Sequence, residues 1–208
     1  MTGSLTPSIL HLDKHIVVVN KPAGLLSVPG LYNKNSVVAH LEQEFGEIHV
    51  IHRLDQDTSG ILVYGRSKKA LTGVQQQFEK QQTRKVYEAL LIGQLRGNRG
   101  CINLPICVDW PNRPLQKISH TDGRYALTRW QRLEQTSSNT RVELYPQTGR
   151  SHQLRIHMLN LGHPIVGDPF YAPQSAIENP RLMLHARELD FAHPITGKAM
   201  QFVLPTPF

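Results

Sequence analysis

Cysteine is scarce in this 208-residue sequence, which contains only Cys101 and Cys107. Two cysteines do not make the disulfide framework of a small secreted protein. No second cysteine pair or cysteine–histidine pair completes a zinc site with them. A reducing cytosol is the simplest setting for such a chain, and we therefore expect a cytoplasmic protein.

Long apolar runs and nucleotide-binding patterns are also missing. The N-terminal segment lacks a basic stretch followed by an apolar one, and the longest apolar runs have the length of a strand. There is no P-loop and no G-x-G-x-x-G fingerprint. His152 and His157 are five positions apart on a predicted helix and do not share a face. We expect a soluble protein that is not exported and needs no metal or organic cofactor.

Positive charge is in excess. Lysine and arginine number 23 against 16 aspartates and glutamates, which gives a formal net charge of +7 and an isoelectric point near 9.6. A basic surface attracts polyanions, so the charge favours nucleic acid as a partner, although many other soluble proteins are basic as well. No repeat or linker divides the chain, and nothing suggests an extended partner interface. We therefore expect one catalytic domain over residues 1–208, with its core at about 9–205, acting as a monomer.

The first half of the chain alternates strand patterns with two helix patterns. The sequence predicts two strands within residues 9–21 around an Asp13–His15 turn, followed by a short helix from Ser36. A strand over His49–Asp55 is expected to end in a polar loop, and a second strand covers Gly60–Gly65. Ser67 is then expected to cap a helix whose apolar side carries Ala70, Leu71, Val74 and Phe78.

Strand patterns dominate the second half. The sequence predicts a strand over Lys85–Ile92, loops and short strands over Gly97–Gln131, a strand over 141–145, a helix capped by Ser151 and ending at Leu161, and a terminal hairpin turned at Pro194–Lys198. Helices are interspersed without a regular βαβ rhythm. The pattern therefore predicts an α+β fold on a mixed or mainly antiparallel sheet.

The segment IHRLDQDTSGILV concentrates polar residues between two apolar stretches. A carboxylate beside an arginine stays ionised at neutral pH, and polar loops at strand ends often carry active sites. The same residues are equally compatible with a solvated turn. Residue spacing alone leaves both interpretations open.

Five segments in order resemble the RluA-type pseudouridine synthases. HRLDQDTSGILV resembles the family's H-R-L-D-x-x-T-S-G motif. HIVVVNKPAGLLSVPG resembles its N-K-P-x-G-L segment, and RKVYEALLIG resembles its K-x-Y strand. TGRSHQLRIHMLNLGHPIVGD and RLMLHA resemble its last two motifs, so the likeness covers residues 9–205. The resemblance implies a pseudouridine synthase fold with two lobes around a central RNA-binding cleft. Many relatives also carry an N-terminal S4 domain, which we do not expect in this chain, so RNA binding is expected to come from the catalytic domain.

The resemblance also implies a catalytic set. Asp55 matches the aspartate that acts while uracil is detached from its ribose, rotated and rejoined through carbon. It acts as a nucleophile or by assisting loss of a sugar proton, and the sequence does not choose between these routes. Tyr87 matches the tyrosine that stacks on the flipped uracil and assists proton removal at carbon 5. Arg155 matches the arginine that pairs with the aspartate.

Four further residues are implied as RNA contacts. Arg53 resembles the arginine that enters the RNA stack where the base has left. His52 orients the loop or contacts RNA, Arg150 meets phosphate at the helix entrance, and Leu184 packs against the target base. As residue types, all four are also ordinary surface or core side chains, so their roles depend on the resemblance.

The predicted substrate depends on one further segment. LPICVDWPNRPLQKI resembles the dual-specificity RluA subgroup, which modifies large-subunit rRNA and tRNA, although action on only one of these RNAs remains open. A non-catalytic RNA-binding or ribosome-assembly protein of the same fold is a second possibility. A hydrolase using Asp55 with His52 ranks well behind, because neither a Ser or Cys nucleophile motif nor a set of metal ligands accompanies them.

Overall fold

The computed structural model describes residues 5–208. The first four residues, which belong to the N-terminal segment considered above, lie outside the described part. The chain forms two compact units. The first contains the residues up to Lys85 together with Ala186–Pro207, and the second contains Val86–His185 and Phe208.

Twelve strands and four α-helices make up the described chain. The strands are β1 (Ser8–Leu12), β2 (Ile16–Lys21), β3 (His49–Val50), β4 (Ser59–Gly65), β5 (Arg84–Ile92), β6 (Arg99–Asn103), β7 (Ile106–Val108), β8 (Gln116–Ile118), β9 (Leu127–Gln135), β10 (Asn139–Pro146), β11 (Leu184–Ala192) and β12 (Ala199–Val203). The helices are α1 (Val37–Phe45), α2 (Lys68–Glu79), α3 (Gln153–Asn160) and α4 (Pro173–Glu178). The predicted α+β class is confirmed.

In the first unit, the strands follow the order β1-β2-β4-β11, with β3 also paired to β4 and β12 to β11. The β-branched run of β2 is buried and pairs antiparallel with β4, placing Val18 opposite Val63. Side chains of α2, including Ala70 and Val74, pack on this sheet. Ser67 caps α2 by accepting a hydrogen bond from the Ala70 N–H, as predicted.

In the second unit, the strands follow the order β5-β10-β9-β6, and β7 and β8 form a separate two-stranded hairpin. Burial alternates residue by residue along β10, which confirms the strand predicted there. A core of aliphatic side chains, including Leu91, Leu144 and Met158, lies between this sheet and α3. The middle third predicted as loops and short strands contains β6 to β8, but β9 is nine residues long.

Two local predictions are wrong. The strand predicted over His49–Asp55 ends at Val50. The next N–H group along β4 belongs to Val63, and it donates to the imidazole Nε2 of His52 at 3.2 Å. This side-chain contact takes the place of a further backbone hydrogen bond between β3 and β4. The ladder therefore stops and the chain becomes a loop at Ile51.

The second error concerns the start of α3. Ser151 is exposed and does not cap the helix; the cap position is His152, in the left-handed region at φ 54°. The side chain of Gln153 provides the hydrogen-bond acceptor in this turn instead. Its Oε1 accepts hydrogen bonds from the Arg150 N–H at 3.0 Å and the Thr148 hydroxyl at 2.7 Å. The helix itself ends at Asn160, one residue before the predicted end.

Candidate active site

The loop that carries Asp55 is fixed at the residue before it. Leu54 is buried, and both of its backbone polar groups bond to the hydroxyl of Ser27: the Leu54 N–H donates at 3.1 Å, and the Leu54 carbonyl accepts at 2.7 Å. Asp55 is half-buried and Arg53 is exposed. One buried serine therefore sets the backbone position from which the Asp55 side chain projects.

The residue after Asp55 is fixed by Lys21. This lysine is fully buried, and its Nζ donates to the carbonyls of Gln56 at 2.7 Å, Leu25 at 2.7 Å and Pro22 at 3.0 Å. An ammonium group has three N–H donors, which matches these three acceptors. Burial lowers the pKa of Lys21 to about 7, an effect opposed by the charges of the nearby Asp57 and Asp55.

A turn closes the same loop. The Thr58 N–H donates to the Asp55 carbonyl at 3.1 Å, and Gly60 follows with φ +117°. A Cβ added to Gly60 would lie 2.2 Å from the carbonyl oxygen of Ala186, so this position accepts only glycine without backbone movement. The backbone of the polar motif is therefore held in one conformation, while its Arg53 side chain is exposed to solvent.

His52 is built into the first unit through its ring. Its imidazole accepts the Val63 N–H and stacks on Phe78 of α2, with 4.7 Å between ring centroids. Burial, with a smaller contribution from the charge of Lys85, lowers the pKa of His52 to about 3. The ring is therefore neutral at physiological pH and joins the start of the Asp55 loop to β4 and α2.

In the second unit, helix α3 holds Arg155 in a buried position, with 2% of the residue exposed. Its Nε and Nη2 each donate to a different carboxylate oxygen of Asp168, both at 2.7 Å. The guanidinium carbon also lies 5.1 Å from the ring centroid of Phe170 and 5.2 Å from that of Tyr171. A planar fork between two rings and a carboxylate has little rotational freedom, so Arg155 is aimed by its surroundings.

Asp168 is itself fixed. It is fully buried, and its Oδ1 accepts the backbone N–H groups of Phe170 at 2.9 Å and Tyr171 at 3.0 Å. In the sequence this aspartate is only the last residue of a matched segment, and no role is predicted for it. Its partner is 13 residues away, so no local pattern shows the pairing.

Tyr87 and Leu184 share one core. Tyr87 is half-buried on β5, opposite Leu144 of β10, and packs against the same aliphatic core that contains the buried Leu184. The structure thus brings these two predicted residues into one cluster of the second unit. A half-buried tyrosine offers a ring face together with a hydroxyl group.

Arg150 lies just before α3 and is half-buried. Its Nε donates to the Tyr125 carbonyl at 3.0 Å, which fixes the base of the guanidinium. The predicted residues are thus distributed between the units: the first holds His52, Arg53 and Asp55, and the second holds the other predicted residues, Tyr87, Arg150, Arg155 and Leu184. The predicted pairing of Asp55 with Arg155 and the predicted cleft stay predictions.

Within residues 5–208, no group of three or more histidine, cysteine, aspartate or glutamate side chains is arranged to hold a metal ion. Over the same residues, no helix has the length and apolar character required to cross a membrane.

The fold and the Asp55 loop define a class of protein. Residues 15–160, which include the loop and all of α3, match the family described as RNA pseudouridylate synthase. The chain belongs to this family.

Individual relatives agree with that assignment. The chain is 47% identical to the dual-specificity RNA pseudouridine synthase RluA of Haemophilus influenzae, over 96% of this chain and 93% of that protein. The corresponding protein of Escherichia coli is 46% identical over the same shares of the two chains. Among solved structures, human RNA pseudouridylate synthase domain containing 1 superposes with a TM-score of 0.81 at 29% identity, covering 100% of this chain and 86% of that one.

Proposed function

We propose that this protein isomerises specific uridines to pseudouridine within structured RNA, with Asp55 as the essential carboxylate. The observation that carries the proposal is the position of Asp55 in a loop held from both sides by Ser27 and Lys21, within the segment that matches the family. A loop fixed in this way presents a reacting group in a constant geometry, and catalysis by orientation of the reacting groups requires such a geometry.

The reaction breaks the bond between ribose carbon 1 and uracil nitrogen 1 and forms a bond from the same ribose carbon to uracil carbon 5. Carbon 5 loses a proton and nitrogen 1 gains one, so no oxidant or reductant is needed. We assign Asp55 to the sugar, as a nucleophile or in proton transfer. Tyr87 stacks on the base and assists the proton removal, and Arg155 stabilises the charge of the catalytic carboxylate.

RNA binding is assigned to four side chains. The exposed Arg53 enters the stack left by the flipped uridine, Arg150 contacts a phosphate, and Leu184 packs against the target base. His52 orients the Asp55 loop, which its neutral, ring-stacked position supports.

The test of the catalytic assignment compares Asp55→Asn with Asp57→Asn, a second half-buried carboxylate of the same loop. Using RNA tritiated at uracil carbon 5, we expect tritium release to be abolished in Asp55→Asn and retained in Asp57→Asn. RNA binding and the unfolding midpoint should persist in both. Measurable release by purified Asp55→Asn would falsify the role of this carboxylate.

We further propose that the substrates are stem-loop uridines in both 23S rRNA and tRNA. Support comes from relatives named as dual-specificity enzymes at 46–47% identity over nearly the whole chain. An isolated tRNA anticodon stem-loop and an isolated rRNA hairpin, offered under identical conditions, should both be modified. Robust modification of only one would remove the dual assignment and leave the reaction type standing.

The single catalytic domain, the absence of a cofactor, the monomeric state and the cytoplasmic location are part of the same proposal. Full activity is expected in excess chelator without added nucleotide. A requirement for zinc would contradict it, whereas an effect of magnesium would have to be separated from magnesium-dependent RNA folding by using a short stem-loop.

A further inference from the structure

The β7–β8 hairpin of the second unit has a rigid tip. β7 and β8 pair antiparallel, and a short 3₁₀ turn over Trp110–Asn112 joins them. The Asp109 N–H donates to the Leu115 carbonyl at 2.9 Å, and the Asn112 side chain donates to the Asp109 carboxylate at 2.8 Å. Such a tip holds its side chains in place before any partner arrives.

Trp110 is exposed at this tip, with 67% of the residue accessible to solvent. The guanidinium carbon of Arg113 lies 4.7 Å from the indole centroid, so the two side chains form a stacked pair. Pro111 and Asn112 are also exposed. The pair therefore stands on a polar tip rather than at the centre of an apolar patch, which favours a single planar ligand over an extended protein interface.

The base of the hairpin is fixed to the helix that carries Arg155. Ile106 at the start of β7 and Ile118 at the end of β8 pack in one cluster with Ile156 of α3. Tyr171, which lies under the Arg155 guanidinium, receives the backbone N–H of Gln116 on its hydroxyl at 2.9 Å. The tip therefore has a defined position relative to Arg155 within the same unit.

We propose that Trp110 and Arg113 form a nucleobase-stacking site for an unpaired nucleotide of the substrate RNA other than the target uridine. This inference rests on the proposed function. Indole and guanidinium planes are the surfaces on which unpaired bases stack, and the positive charge of Arg113 attracts the adjacent phosphate. Because the stacking pair lies at the tip and Arg155 lies beside the base of the hairpin, Trp110 and Arg155 contact different nucleotides of the same RNA.

The main experiment measures RNA affinity and turnover for Trp110→Ala, with Ile177→Ala as the matched control. Ile177 is 77% exposed on α4 of the same unit, so its removal controls for loss of an exposed apolar side chain. Trp110→Ala should raise the Kd and KM for a stem-loop about tenfold, with kcat and the unfolding midpoint unchanged. Ile177→Ala should change none of these. An unchanged Kd in Trp110→Ala would overturn the proposal.

Intrinsic fluorescence gives an independent readout, because the other tryptophan, Trp130, is buried with 7% exposed. Stem-loop RNA should quench the emission of the wild type, and Trp110→Phe should lose that quenching while it retains most of the affinity. Abasic substitution of one loop nucleotide, not the target uridine, should abolish the quenching. Equal quenching in Trp110→Phe would also overturn the site.

The readouts separate this inference from the proposed function. Quenching and affinity do not depend on turnover, whereas tritium release does. Loss of the Trp110 effects with intact tritium release rejects only the stacking site. Trp110-dependent RNA binding without release of tritium by the wild type supports the stacking site and rejects the proposed reaction.

Discussion

Arg155 and Asp168 form a buried two-point ion pair, with Nε–Oδ2 and Nη2–Oδ1 distances of 2.7 Å each. Neither residue has more than 2% of its surface exposed. Removal of charges from water is costly, and the pair is stable because the geometry is bidentate and Asp168 accepts two further backbone N–H groups. Each partner therefore depends on the other.

The first prediction concerns this dependence. Arg155→Ala and Asp168→Ala should each lower the free energy of unfolding by about 3–5 kcal/mol, because each leaves an unpaired buried charge. The double variant should be less destabilised than the sum of the two, by about 0.5–3 kcal/mol. Urea unfolding of the four proteins measures this coupling. Strictly additive losses would show that the two side chains do not stabilise one another.

The second prediction concerns Ser27. Ser27→Ala removes both hydrogen bonds that fix the Leu54 backbone beside Asp55, so it should lower kcat about tenfold or more, with KM little changed. It should also cost about 1–3 kcal/mol of stability. Ser67→Ala is the matched control, because Ser67 caps α2 in the same unit and its loss costs about 1 kcal/mol.

For each serine variant, kcat, KM and the free energy of unfolding are measured on a single preparation of that protein. A fall of kcat in Ser27→Ala alone would identify Ser27 as a positioning residue for Asp55. Equal kcat values in the two variants would show that Ser27 stabilises the fold without positioning Asp55.

The elements found from the sequence are those set by local chemistry. The β-branched run of β2, the start of a helix at Ser36 and the cap at Ser67 depend on neighbours within a few residues, and these predictions are confirmed. Resemblance identified the segment containing Asp55. The fold class followed from the dominance of strands and the irregular placement of helices.

The failures share a physical cause, which is a side chain that replaces a backbone partner. His52 accepts a strand N–H and thereby ends β3, and Gln153 folds back to satisfy the turn before α3. The contacts of Lys21 with Gln56, and of Asp168 with Arg155, join residues far apart in sequence. The matched segments contained all of these residues, but neither spacing nor composition shows which of them meet.

The third prediction uses the titration of His52. Its folded-state pKa is about 3, against an ordinary value of 6.5. Between these values the unfolded chain binds a proton that the folded chain does not, so stability falls as pH drops from 6.5 towards 3. At pH 5 this contribution amounts to about 2 kcal/mol.

His52→Gln lacks this titration. The difference in unfolding free energy between wild type and His52→Gln should therefore change by about 2 kcal/mol between pH 7 and pH 5, in the direction that favours the variant at low pH. Other buried groups titrate equally in both proteins and cancel in the difference. Parallel pH profiles of the two proteins would contradict the neutral state of the imidazole in the folded protein.

The fourth prediction concerns Arg150 and salt. Contacts between basic side chains and phosphates release counterions, so RNA affinity should fall steeply as the salt concentration rises. Arg150→Ala should weaken binding and reduce the slope of log affinity against log salt by about 1, with little effect on the chemical step. Binding of a fluorescent stem-loop is measured from 50 to 200 mM salt, and single-turnover rates are measured at saturating enzyme.

Arg132→Ala is the control for Arg150. The Arg132 guanidinium is already engaged by the Leu95 carbonyl at 3.2 Å, the Gln135 side chain at 2.9 Å and the Asn98 side chain. Its removal should therefore leave the salt slope unchanged. In Arg150, the Nε donates to the Tyr125 carbonyl. Equal salt slopes for Arg150→Ala and the wild type would show that Arg150 does not contact a phosphate. An RNA affinity of the wild type that does not change with salt would contradict electrostatic binding as a whole.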